Sequence, residues 1–145
     1  MTDLTGHCMC GETTLAVTPA KRDLHACHCG MCRKWTGGPF LAFEVAADDL
    51  SHRGPVRRRA SSDWAERAWC DSCGAALWYR VTMPGPSRGL YHVAAGLFDA
   101  AHGYPLAGEL FIDLKPGGYA FAGTHQRFTD AEVMEMFASA PGDEG

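Results

Sequence analysis

Seven cysteines gathered into three tight clusters constrain this 145-residue chain more than any other feature. The clusters are Cys8-Met9-Cys10-Gly11, Cys27-His28-Cys29-Gly30-Met31-Cys32 and Cys70-Asp71-Ser72-Cys73-Gly74, contributing two, three and two thiols. In an extended chain, residues two apart point to the same face, so each Cys-x-Cys can aim both sulfurs at one metal ion about 2.3 Å away. In Cys-x-x-Cys the chain turns around the ion, and Gly74 stands where such a turn tends to need a positive φ. A disulfide scaffold would use an even number of cysteines and an export signal. The count here is odd, and residues 1–6 are polar and carry Asp3, with no basic segment followed by an apolar one. Metal binding in a reducing compartment accounts for an odd count without an orphan thiol, so zinc and a cytoplasmic location are expected.

Zinc takes four ligands when structural, whereas a catalytic site keeps three protein ligands and one open position. Two, three and two thiols fit that division if the first and last clusters pair. Cys8, Cys10, Cys70 and Cys73 would then close one site, and Cys27, Cys29 and Cys32 would hold a second with a free corner. Spacing alone leaves two alternatives open. Cys29, Cys32, Cys70 and Cys73 could form a zinc ribbon, or His25 or His28 could close the three-thiol site.

The length suits one domain over residues 1–145, with the tail from about 141 expected to fray. The most apolar stretches, 38–43 and 90–98, are far shorter than the roughly 18 residues of a membrane span, so no membrane partner is expected. A net charge of -4 argues against nucleic acid as a partner, since that attraction grows with summed positive charge. Arg53, Arg57, Arg58 and Arg59 form one local basic cluster, read as a solvated strand edge or turn rather than an anion site.

Seventeen glycines and eight prolines imply many turns and short strands, hence a mainly β chain. Strands are expected over 12–18, 40–45, 56–62, 75–82, 89–96 and 110–114, with a polar loop between the second and third. Residues 64–69 lead into the last cysteine turn, from which 75–82 emerges as in a hairpin. A short helical turn can follow the central cysteines and end at Gly37-Gly38. Thr129-Asp130-Ala131-Glu132 matches a capping box, with Val133, Met136, Phe137 and Ala140 at helical spacing, so a short C-terminal helix is expected.

The pattern Gly6-x-Cys8-x-Cys10-Gly11, Cys27-His28-Cys29-x-x-Cys32-Arg33-Lys34 with Gly37 nearby, Ser61-Ser62 and Cys70-x-x-Cys73-Gly74 resembles the glutathione-dependent formaldehyde-activating enzymes, a family that includes centromere protein V. The resemblance implies a β-tent of packed antiparallel sheets with zinc knuckles. It implies two Zn2+ ions: a structural one on Cys8, Cys10, Cys70 and Cys73, and a catalytic one on Cys27, Cys29 and Cys32. The implied activity is that of a carbon–sulfur lyase joining glutathione and formaldehyde into S-hydroxymethylglutathione, or a related thiol and electrophile.

Around the three-thiol cluster, Arg33 and Lys34 are candidates for contacting a substrate anion, the alternative being a solvated helix face. His25 and His28 are candidate proton donors that are as readily surface or hydrogen-bonded residues. Trp35 and Phe40 could wall a pocket or belong to the core. Ser61 and Ser62 lack a nucleophile elbow and suit a turn. Trp64 and Trp69 flank the last cysteine turn and are expected to shield the structural ion. Two other functions compete: a noncatalytic zinc module for a protein or nucleic acid, and a thiol-based methionine sulfoxide chemistry that would need a cysteine outside the zinc sites.

Overall fold

The computed structural model describes residues 3–138. Ten strands share one mixed sheet: β1 (Leu4–His7), β2 (Thr14–Pro19), β3 (Leu24–Cys27), β4 (Phe40–Arg53), β5 (Val56–Ala60), β6 (Ala65–Cys70), β7 (Ala76–Val81), β8 (Tyr91–Ala94), β9 (Leu106–Leu110) and β10 (Gln126–Phe128). Two helices accompany them, α1 (Gly30–Thr36) and α2 (Asp130–Ala138). The mainly β expectation with two short helices is met. Most pairings are antiparallel, but β9 runs parallel to both β3 and β10, so the sheet is mixed.

The order β10-β9-β3-β4-β8-β7-β6-β5 is organised by β4, whose first half lies between β3 and β8 while its second half pairs with β2. Residues 46–53 are therefore strand, not the polar loop expected between two strands. Their polarity marks a solvent-facing stretch whose backbone is satisfied by β2. The strand expected at 110–114 also shifts. Leu110 ends β9, Phe111 adopts a left-handed conformation at φ 59, and Ile112–Leu114 form a 3-10 turn. Only the start of the run belongs to the core: Leu110 and Phe111 are buried, whereas Ile112 is half-buried and Leu114 is exposed.

Alternation along the strands makes two cores. Phe43 and Val45 of β4 point to one side with Leu15, Val17, Trp78, Val93, Phe98, Cys8 and Cys70. Phe40 and Ala42 point to the other with Tyr79, Leu110, Val133 and the three central cysteines. A side-chain period of two thus sends the two thiol groups into different cores. The capping box forms as expected. The Thr129 amide donates to Glu132 Oε1 at 2.8 Å, and the Glu132 amide to Thr129 Oγ1 at 3.3 Å. Val133 seals the second core and Phe137 packs against it; Ala140 and the tail from 141 lie outside the described residues.

Candidate metal centre

The seven cysteines separate into two groups, Cys8, Cys10, Cys70 and Cys73 in one and Cys27, Cys29 and Cys32 in the other, with the sulfurs of each group all within 4.8 Å of one another. The ribbon of Cys29, Cys32, Cys70 and Cys73 is thereby ruled out.

The four-thiol group is made by two facing turns. In the first, the Cys8 amide donates to Thr13 O at 2.9 Å and the Gly11 amide to Cys8 O at 3.1 Å. In the second, the Cys70 amide donates to Ala75 O at 3.0 Å and the Gly74 amide to Cys70 O at 2.8 Å, with Gly74 at φ 79 as its position required. Pro55 O ties the turns together by accepting from Thr13 Oγ1 at 2.9 Å and from the Asp71 amide at 3.0 Å. Sulfur separations of 3.5 Å (Cys8–Cys10) and 3.9 Å (Cys10–Cys70) bracket the edge of about 3.8 Å expected for four sulfurs around zinc. Burial pushes the Cys8 thiol up, but the Thr13 amide and the neighbouring thiols outweigh it and hold Cys8 at about 6. Cys10, favoured by the Glu12 amide but opposed by burial and by the other three sulfurs, is pushed up to about 12. Thiols this crowded share charge unevenly until a cation replaces the remaining protons.

The three-thiol group is built at the junction of β3 and α1. Cys27 ends β3, Cys29 is the extended residue that caps α1, and Cys32 lies in its first turn. The Cys29 sulfur accepts the Cys32 amide at 3.4 Å, which is a helix cap and a ligand position in one side chain. The helix stops at Gly37, left-handed at φ 87, whose amide donates to Arg33 O at 2.8 Å. Interaction with Cys27 and then Cys32 pulls Cys29 down to about 2, while Cys29 and Cys32 push Cys27 far up. Cys32 is drawn down by Cys27, yet the Cys29 thiolate and burial leave it at about 11. Sulfurs this close oppose one another's ionisation, and a soft cation would relieve that opposition.

Arg67, which no sequence pattern singled out, supplies the counter-charge. It projects from β6 into the second core, is only 5% exposed, and places Nη1 3.6 Å from Cys32 Sγ. Its guanidinium lies between Trp35, 4.8 Å from the ring centre, and Tyr79, at 5.2 Å. Nε and Nη2 have no hydrogen-bond partner. A buried guanidinium in that state is costly unless its surroundings are anionic, so the orphaned donors themselves indicate ionised sulfur beside them. Trp35 and Phe40 stand in line with Tyr79, with ring centres 5.2 and 5.9 Å apart; Phe40 belongs to the second core, whereas Trp35 packs against that core and also lines a cleft.

His28 turns away from this group. It is fully buried, with Nε2 2.8 Å from Glu109 Oε1 and Nδ1 2.9 Å from Tyr119 Oη. The other carboxylate oxygen of Glu109 meets His125 Nε2 at 2.5 Å and Arg127 Nε at 3.2 Å. Both ring nitrogens of His28 are therefore engaged, and neither it nor His25 joins the cysteines among the described residues. Its role is mechanical: Glu109, on β9, grips the residue between Cys27 and Cys29 and holds their loop. Burial pushes the Glu109 carboxyl up, but His125 and His28 outweigh it and keep it below the usual carboxylate range.

Arg33 reinforces the same loop by donating from Nε to His28 O at 3.2 Å. Lys34 stays exposed and lines a cleft of about 240 Å3 with Trp35, Arg59, Ser61 and Arg67. The arginines of β5 sit on an exposed edge strand, Arg57 pairing with Asp71 at 2.8 Å. Ser61 and Ser62 do turn work, Ser61 Oγ donating to Ala65 O and Ser62 Oγ accepting the Trp64 amide. The two tryptophans correct an expectation. Trp64 packs on Tyr79 and Phe137, and Trp69 lines the cleft beside Arg67, so neither covers the four-thiol group. On β6 the residue facing that group is Cys70, and alternation sends Arg67 and Trp69 to the opposite side.

The sequence model of one protein family, described as glutathione-dependent formaldehyde-activating enzyme, matches residues 3–113. A Schizosaccharomyces pombe protein named an uncharacterized lyase is 33% identical over 136 residues, covering 93% of this chain and 97% of its own. A putative glutathione-dependent formaldehyde-activating enzyme of Halomonas elongata is 33% identical over 85 residues, 52% of this chain and 54% of that one. A crystal structure of a Rhodobacter sphaeroides protein superposes with a TM-score of 0.56 at 21% identity, over 72% of this chain and all of that one, which supports the fold. By this match and by the cysteine geometry, the chain belongs to the glutathione-dependent formaldehyde-activating enzyme family.

Proposed function

We propose that this chain, folded as one domain over residues 1–145, is a zinc-dependent carbon–sulfur lyase that joins glutathione reversibly to a small aldehyde. Cys8, Cys10, Cys70 and Cys73 would hold a structural ion, and Cys27, Cys29 and Cys32 a catalytic one. The observation that carries this reading is the contrast in the second group: three buried sulfurs within 4.8 Å of one another, no fourth described ligand, and a buried guanidinium beside them. An ion bound there supplies a site for a further sulfur and favours its thiolate form.

The protein's own groups do the rest. Arg67 balances the charge of the three sulfurs, and the aromatic walls of Trp35, Phe40 and Tyr79 exclude water. Lys34 and Arg59, on the cleft beside Arg67, suit a carboxylate of the thiol substrate. In the addition, the substrate sulfur forms a bond to the carbonyl carbon, the C=O π pair moves to oxygen, and the proton lost by the thiol ends on that oxygen. No oxidant or reductant is consumed. An aldehyde of formaldehyde's reactivity needs orientation more than polarisation, which a fixed pocket provides. All seven cysteines fall in the two groups, so a spare thiol for sulfoxide chemistry is not at hand. No described helix is long and apolar enough to cross a membrane, and a cytoplasmic setting suits the reduced thiols.

The test is glutathione–formaldehyde exchange followed by NMR line exchange, comparing wild type with Cys29→Ser at equal occupancy of the four-thiol site. Acceleration by wild type that disappears in the variant is expected. Equal rates would favour a noncatalytic zinc module.

A further inference from the structure

A cleft of about 260 Å3 opens on the same face of the sheet as the three thiols. His25, which lines it, and Cys27 are two residues apart on β3, hence on one face and about 7 Å apart. Leu110, abreast of Cys27 on the neighbouring strand, lines it as well. The room has a cause in the sequence. At the level of His25 the adjacent strands carry Gly108 on one side, with the His25 and Phe128 rings lying over it, and Ala42, then Ala94, on the other, where the side chains add little bulk.

The walls are mostly carbon, from Leu90, Leu110, Phe128, Val133, Met136 and Phe137. The polar lining comes from His25, Glu44, Ser87, Gln126 and His92. Of these His92 is 6% exposed and stacked on Tyr79 with ring centres 4.3 Å apart, and its Nε2 has no hydrogen-bond partner. A buried ring nitrogen left unpaired in the wall of an apolar cleft is a feature that a ligand with one hydrogen-bonding group would satisfy. The cleft is also larger than formaldehyde, a single carbon and oxygen, can use. Its outer wall, from Gln126 to Phe137, lies beyond residues 3–113, the segment matched by the family model.

We propose that this cleft receives the substituent of an aldehyde larger than formaldehyde, an apolar or aromatic group with a hydrogen-bonding atom at its far end that meets His92 Nε2. The inference rests on the proposed addition of a thiol to an aldehyde and specifies its electrophile.

The zinc-loaded protein should be assayed with glutathione and, in parallel, formaldehyde, phenylacetaldehyde and 4-hydroxyphenylacetaldehyde. Wild type is expected to prefer 4-hydroxyphenylacetaldehyde to phenylacetaldehyde by about three- to tenfold in kcat/KM, the range of one neutral hydrogen bond. His92→Phe, which keeps the ring stack on Tyr79, should erase that preference. Met136→Trp narrows the cleft from a side chain that is 39% exposed, so folding is not at stake. It should lower the ratio of phenylacetaldehyde to formaldehyde kcat/KM about tenfold, the effect of excluding one or two methylene-sized groups. Turnover of formaldehyde without the aryl aldehydes, or a ratio unmoved or raised by Met136→Trp, overturns the inference and leaves the proposed reaction standing. Acceleration of none of the three overturns both.

Discussion

The two thiol groups use the same ligand atom and differ in nearly everything around it. The four-thiol group lies between two turns near the surface, with Cys10 exposed and Cys73 half-buried, and its polar neighbours are the Thr13 amide and the exposed Glu12 carboxylate, 3.8 Å from Cys10 Sγ. The three-thiol group is buried throughout, has a guanidinium on one side and rests on a loop gripped by a buried carboxylate on the other. A closed set of four needs only local turns to hold it. An incomplete set of three leaves an unbalanced charge in a low-dielectric core, and distant residues have to compensate. The lesson is that the surroundings, more than the sulfurs, distinguish the two groups.

The strongest way to break this comparison is to remove one sulfur from the closed group. Cys70→Ser should abolish the folded state, since structural zinc contributes on the order of 10 kcal/mol to such domains; loss of the cooperative thermal transition and of soluble protein would be measured. Cys29→Ser should instead leave a folded protein with about one zinc fewer per chain by elemental analysis. A comparable collapse in both variants would erase the distinction between the groups.

Glu109→Gln comes next. It leaves the buried His28 and His125 facing an amide, and about 3 kcal/mol of stability should be lost in denaturant titration. Zinc held by the three thiols should leave roughly 10- to 100-fold faster into a chelator, while release from the four thiols serves as the internal control. If both phases accelerate equally, Glu109 acts on the whole fold and not on the Cys27–Cys29 loop.

Arg67→Met should weaken zinc retention at the same group by about tenfold, and Arg67→Lys should restore only part of it, because a lysine cannot stack between Trp35 and Tyr79 while reaching Cys32. Competition with a colorimetric chelator reads the difference. The smallest effect is expected for Lys34→Ala, an exposed residue, whose KM for glutathione should rise no more than about fivefold with kcat and zinc content unchanged.

Features set by short-range chemistry were the legible ones. The capping box at Thr129 and Glu132, the helix stop at Gly37 and the turn at Gly74 each depend on residues within four positions of one another. Strands that carry their own apolar alternation were legible too, such as β2 and β7. The short pieces β1, β3 and β10 were not, because three or four residues bear too little pattern, and their backbones are satisfied by partners far along the chain. The polar half of β4 was hidden for the complementary reason: its composition records the solvent it faces, while its conformation is dictated by β2.

By itself the sequence determined that there would be seven thiols in sets of two, three and two, each local set able to chelate. Chelation by Cys-x-Cys and Cys-x-x-Cys is a property of adjacent residues, so spacing is enough to encode it. Only the tertiary structure decided which sets join, that Arg67 reaches Cys32 across 35 residues, that Glu109 holds His28 across 81, and which aromatic rings enclose the result. Those pairings follow from strand register, where a shift of one residue would send Arg67 to the other face, and register is a balance of many weak contacts summed over the whole sheet.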